Sequence, residues 1–160
     1  MKLLLILLAL LSGTALAATS YLPDVIMDSS LSSQDQTYNG TTLSGALGET
    51  VAFRQVVYLK NDGKFWKAKA DAAGTMPAIG VCVVGGDADD TGTILIRGMV
   101  RDDTWDFTVG SSLYVSDTTA GTLTDSAPDT AGDQVQFMGI AISADVALIT
   151  PNIMLIEIAA

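Results

Sequence analysis

The chain has 160 residues, 18 of them acidic and 8 basic, for a formal net charge of −10 at pH 7. That length is enough for one domain with a real core. The charge repels nucleic acid and anionic membranes, so neither is expected as a partner. The chain also has no histidine, which removes Ser–His and Cys–His nucleophilic pairs, histidine general bases and most zinc sites.

The pattern of residues 1–17 is that of a secretory signal peptide. Lys2 is the positive start, Leu3 to Leu11 the apolar run and Ala15-Leu16-Ala17 the small-x-small cleavage site. A mature chain then begins at Ala18 with seven basic against 18 acidic residues, a formal charge of −11. Export is expected, to the extracellular space or cell surface, with no membrane contact after cleavage.

Residues 18–48 are rich in Ser, Thr, Gln and Gly and are expected to form an extended N-terminal arm or a pair of short edge strands. One apolar island interrupts them, with Tyr21, Leu22, Val25 and Ile26 as interface candidates. An arm of this kind can add a strand to a neighbouring copy's sheet. Asn39-Gly40-Thr41 matches the glycosylation sequon and is equally a plain turn.

Residues 49–160 are expected to form one β-rich domain, a sandwich or small barrel of about 8–10 short strands. The strongest local signal is Val56-Val57-Tyr58-Leu59 followed by Asn61-Asp62-Gly63 and Phe65-Trp66. Asp-Gly tolerates the positive φ of a tight hairpin turn. Further candidate strands are 50–53, 77–84, 93–100, 112–116, 121–124, 134–142, 146–149 and 153–158. Gly80, Gly98 and Gly139 fall inside strand patterns, where glycine marks a bulge or a close backbone approach. Tyr58 and Tyr114 stand 56 residues apart, and Gly80 and Gly139 stand 59 apart. This spacing is that of a degenerate internal duplication. Cys82 is the only cysteine and lies in an apolar run, so it reads as a buried, inert thiol.

Few residues carry chemistry. The only glutamates, Glu49 and Glu157, lie in separate candidate strands, and no phosphate-binding loop with a lysine is present. No enzymatic activity is therefore expected. Asp87, Asp89 and Asp90 open a stretch in which Asp87, Asp89, Gly92 and Ile94 match positions one, three, six and eight of a calcium loop. Position twelve is Gly98 rather than glutamate, so a calcium site and a solvated strand-to-strand turn both stand as readings; no other cofactor is expected. Every basic residue after Lys2 lies between Arg54 and Arg101, and nine acids with no base follow. A basic face including Lys64, Lys67 and Arg101 is a candidate for meeting the acidic face of a neighbouring copy. Trp105, beside Asp103 and Asp106, reads either as an interface residue or as a platform for a sugar ring.

Several words of the sequence occur in a telling order: Asp62-Gly63-Lys64-Phe65-Trp66, Met76-Pro77-Ala78-Ile79-Gly80, Arg97-Gly98-Met99-Val100-Arg101-Asp102-Asp103-Thr104-Trp105 and Gly139-Ile140-Ala141. In this order Gly48 to Ile158 resembles a β-rich domain of tailed-phage and metagenomic structural proteins, found in head fibres, decoration proteins and tail appendages. The resemblance implies a module displayed on a larger protein shell that self-associates, often as trimers. The signal peptide in front of it points instead to an exported relative, a cell-surface or filament subunit. The expected function is a non-enzymatic structural subunit that assembles with copies of itself, exported or at a virion surface. The alternative is a secreted monomeric module that binds glycan or calcium.

Overall fold

The computed structural model describes Leu31 and residues 34–159, and over these residues the protein is all-β. Residues 1–30, which hold the signal-peptide pattern and Tyr21, Leu22, Val25 and Ile26, lie outside the described residues.

Strand β1 spans Tyr38–Ala46, β2 Val56–Leu59, β3 Phe65–Lys67, β4 Ala78–Val84 and β5 Thr91–Arg101. Then come β6 at Ser112–Val115, β7 at Leu123–Thr124, β8 at Gln134–Val135, β9 at Phe137–Ala141, β10 at Val146–Ile149 and β11 at Ile156–Glu157. Nine of them form one antiparallel sheet in the order β3-β2-β4-β5-β10-β9-β6-β7, with β1 on β5, and β8 and β11 form a separate pair. The large sheet curls into a half-barrel. Its two ends approach each other: Gly121 N–H donates to the Ala68 carbonyl at 2.7 Å, and Ala70 N–H to the Ser116 carbonyl at 2.9 Å.

The sheet starts at Tyr38, eleven residues before the expected boundary of the β-rich domain at 49, in the stretch read as an arm or a pair of short edge strands. The second half of the expected arm is β1, which pairs with β5 from Tyr38↔Val100 to Ala46↔Thr91, and Leu47 just beyond it is fully buried. The expected strand at 50–53 is reduced to a single bridge, Val51↔Gly86. Its continuation is turned away by Arg54, whose φ of 68° is left-handed.

Strand β5 organises the sheet. Its eleven residues give one edge wholly to β1, while β4 (at Thr93–Leu95) and β10 (at Gly98–Arg101) share the other. Between those stretches sits a bulge: Thr41 faces Arg97, but Thr42 faces Leu95, so Ile96 is an extra residue. At Gly98 the backbones of β1 and β5 close up. A methyl group there would strike the Asn39 carbonyl, and Gly98 takes a φ of 144° that side chains rarely adopt.

The strand order is a palindrome. β3-β2-β4-β5 runs inward from one end and β7-β6-β9-β10 from the other. The anchors seen in sequence occupy matching places. Val57 faces Gly80 and Tyr58 faces Ala78, with Ile79 bulged; Leu113 faces Gly139 and Tyr114 faces Phe137, with Met138 bulged. The faces, however, are inverted. Tyr58 lies in the inner core with Val81, Leu95, Leu113 and Ile149, whereas Tyr114 belongs to no core cluster. The extra residue in β5 causes this, because one inserted residue reverses which side chains point inward beyond it.

Three apolar clusters result. The inner core fills the curl. Leu47 and Val51 cover the outer face of the first half, over Val57, Cys82 and Ile94. Leu31 lies on the outer face of β5 and β10, over Met99 and Val146. Each large aliphatic side chain fully buried in these clusters stabilises the fold by roughly 1.5–3 kcal/mol. That matters in a chain with one cysteine and hence no internal disulfide.

Gln136 joins the halves inside the curl. It is fully buried, and its side-chain amide imitates a strand. Oε1 accepts from Ala78 N–H at 2.7 Å, while Nε2 donates to the Ala78 carbonyl at 2.7 Å and the Asn152 carbonyl at 2.8 Å. Gln136→Leu leaves the Ala78 N–H and carbonyl buried without a partner, each at about 1–3 kcal/mol. A urea melt of this variant is expected to show a midpoint shift worth about 3 kcal/mol at unchanged slope. A shift below 0.5 kcal/mol, roughly that of an ordinary surface change, would contradict the bridging role.

Candidate functional site

The Asp87–Asp90 turn connects β4 to β5, and its carboxylates are engaged one by one. Thr50 Oγ1 donates to Asp87 Oδ1 at 3.0 Å, Asp87 N–H donates to Asp90 Oδ2 at 2.9 Å, and Lys64 Nζ pairs with Asp89. Among the described residues, no group of three or more acidic or cysteine side chains is arranged to hold a metal ion. The turn reading of this stretch fits the geometry, since each carboxylate serves a local donor rather than a common centre.

Most of the basic side chains also have partners within the chain. Lys67 Nζ lies 3.3 Å from Glu49 Oε2, while Lys67 N–H donates to Glu49 Oε1 at 2.9 Å. Arg101 bridges Asp103 and Asp145, at 2.6 and 3.3 Å. Lys69 pairs with Asp71 at 2.7 Å, and Lys60 sits 4.1 Å above the Trp66 ring. Lys67, Arg101 and Lys69 are thus each placed beside acids of their own chain, while Arg97 is exposed and outside any ion pair among the described residues. Exposed pairs of this kind contribute about 0.2–1 kcal/mol each.

Trp105 lies at a small cleft with Arg54, Gln55, Gly121, Thr122 and Leu123. Below it Asp102 is only 2% exposed. Its carboxylate accepts from Thr104 N–H at 2.9 Å and from the Thr104 hydroxyl, with Arg54 Nε 3.8 Å away. Arg54 in turn donates to Thr104 Oγ1 at 2.6 Å. The Trp105 ring stacks at a tilt on Phe107, 5.1 Å between centroids, and packs against the inner core. The cleft holds about 70 Å³, against roughly 300–1,000 Å³ for small-molecule sites. It has room for a few waters, and Trp105 is partly buried against the core beside it.

Two features were not singled out from the sequence. The first is Asp133, 6% exposed, with Oδ2 lacking a hydrogen-bond partner among the described residues. Burial pushes its carboxyl above the usual range, and the charges and hydrogen bonding of Asp117 and the charge of Asp71 push it the same way. No motif announces it, because Asp133 lies in an ordinary Gly-Asp turn word. The second is the C-terminal segment. Ile153, Met154 and Ile156 are 71, 72 and 65% exposed. The expected strand at 153–158 is shortened to β11, Ile156–Glu157, which pairs with β8. Cys82 behaves as its sequence context implies: it is fully buried, and burial pushes its thiol up to about 11.

No protein-family model and no curated protein sequence matches the chain. Among the described residues, no helix is long and apolar enough to cross a membrane.

The raised Asp133 carboxyl gives a pH-dependent outcome. The folded state holds this proton more tightly than the unfolded state. Its contribution is therefore most favourable below the unfolded carboxylate pKa, about 3.9, and is lost as pH rises through the folded value. Asp133→Asn removes the penalty of the ionised form. The variant is expected to melt higher than the parent at pH 7, with the gain shrinking towards pH 3.5. A gain independent of pH, or a loss at pH 7, would contradict the assignment.

Proposed function

We propose that the protein is a non-enzymatic structural subunit, exported by the leader pattern of residues 1–17, that assembles with copies of itself. The observation that carries this reading is the C-terminal apolar stripe. Ile153, Met154 and Ile156 present three large apolar side chains to solvent. They lie next to a strand edge that carries no ladder among the described residues. Exposed apolar side chains beside an open strand edge favour pairing with another chain. Strand β1, nine residues long and largely exposed, runs along the outer side of β5.

The chemistry of the rest supports the same reading. The cleft at Trp105 is small, the carboxylates at Asp87, Asp89 and Asp90 serve local donors, and the basic side chains are mostly paired within the chain. Apolar strand addition, rather than charge complementarity, is thus the proposed source of affinity between copies. Whether the assembly is a filament, a cell-surface layer or the decoration of a larger shell follows from the symmetry of the contact.

The test replaces the stripe. The triple variant Ile153→Asp, Met154→Asp and Ile156→Asp is expected to keep the far-ultraviolet circular dichroism spectrum of the parent. In light scattering after size exclusion it is expected to appear as a single protomer where the parent is larger. An assembly of unchanged mass in the triple variant would sink the proposal.

A further inference from the structure

The inverted second half leaves an unusual outer surface. Tyr114, Phe137, Ile140 and Leu148 occupy places that correspond, through strand order and pairing, to Tyr58, Ala78, Val81 and Leu95 in the first half. All four first-half residues are buried in the inner core. Their second-half counterparts face outward. Ile140 pairs with Leu148 on one side and Ser112 on the other, and Leu148 pairs with Met99 in the outer cluster. Ile140 is 39% exposed, and Tyr114 and Phe137 pack edge to face, 6.5 Å between centroids, both only half-buried. On the first half, Leu47 and Val51 cover the corresponding outer face. On the second half, Leu31 alone is seated, over Met99 and Val146 at one end of the row.

We propose that the apolar segment Tyr21–Met27 of the same chain docks on this face and completes the cluster that Leu31 begins. The segment supplies Tyr21, Leu22, Val25, Ile26 and Met27 only four to ten residues before Leu31. Four extended residues reach about 13–14 Å. The two strand spacings from β5 to β9 amount to about 9.5 Å, so Met27 and its predecessors reach Ile140 from the Leu31 anchor. The tether also favours the chain's own segment over a neighbour's, because attachment this short gives an effective concentration in the millimolar range. Charge agrees. The segment contains Asp24 and is followed by Asp28, and Arg97, two residues from Met99 along β5, is exposed and has no ion-pair partner among the described residues. The arm is then a cover for its own sheet, and contact between copies is left to the strand edges.

A photo-crosslinking experiment on the full chain tests this. Ile140→benzoylphenylalanine is introduced into chains of natural isotope content and, separately, into ¹⁵N-labelled chains, which are mixed in equal amounts and irradiated. The expected result is adducts on residues 21–27 with the two peptides of each adduct carrying the same isotope label. Adducts on 21–27 with mixed labels would assign the face to a neighbour's arm, and no adduct on 21–27 would remove the segment from it; either overturns the proposal. The same label at Ser112, beside Ile140 in the row, serves if the first variant does not fold. The C-terminal stripe is unchanged in both variants, so loss of the crosslink and loss of assembly are read separately.

Discussion

The length of β5, and the one residue too many within it, set the rest of the structure. Eleven residues allow β1 to run along one edge while β4 and β10 divide the other. The two halves of the sheet meet in one ladder, between β5 and β10. Hydrogen bonds at the ends of the curl and the buried amide of Gln136 close what β5 opens. The bulge at Ile96 then decides which face of the second half is inside. A strand's side chains alternate with a period of two, so a single inserted residue exchanges the two faces beyond it. The inner core takes Leu113, Met138 and Ile149 from the second half, and the row through Ile140 and Leu148 is turned to the outside.

Much of this fold was legible in the sequence, and the losses have physical causes. The strands at 56–60, 64–69, 77–84, 93–100, 112–116 and 146–149 follow from β-branched and aromatic runs between Gly and Asp turns, and all are present in shortened or extended form. Strand β1 lies in the stretch read as an extended arm or a pair of short edge strands, and its bounds were not legible because Tyr38–Ala46 is polar, with Leu43 its one large aliphatic residue. It sits at the sheet edge, where neither face is fully buried and no alternation is needed. The duplication was visible in the spacing of Tyr58 with Tyr114 and Gly80 with Gly139, and it is real as strand order and pairing. Its inversion was invisible, because a bulge inside an apolar word such as Ile94-Leu95-Ile96 leaves no mark in composition.

The site is less legible than the fold. Acidic spacing drew attention to Asp87, Asp89 and Asp90, yet three-dimensional neighbours gave each a separate donor, two of them 37 and 25 residues away in sequence. The run of lysines and arginines read as a face for a partner, but acids distant in sequence lie beside it, as Glu49 does beside Lys67 and Asp145 beside Arg101. The surfaces that stand out physically are apolar instead. Among the described residues several large apolar side chains are exposed singly, such as Leu43, Leu59, Val84 and Val109, while Ile153, Met154 and Ile156 lie close together in the C-terminal stripe and Ile140 lies in the outer row of the second half.

On the proposed function, the C-terminal stripe of Ile153, Met154 and Ile156 is covered by copies of the same chain. Electron microscopy in negative stain, on protein taken from its native source without dilution, tests that claim most directly. Self-assembly predicts regular filaments, layers or particle-bound densities with a repeat the size of one domain. Scattered single globules at high concentration would contradict it.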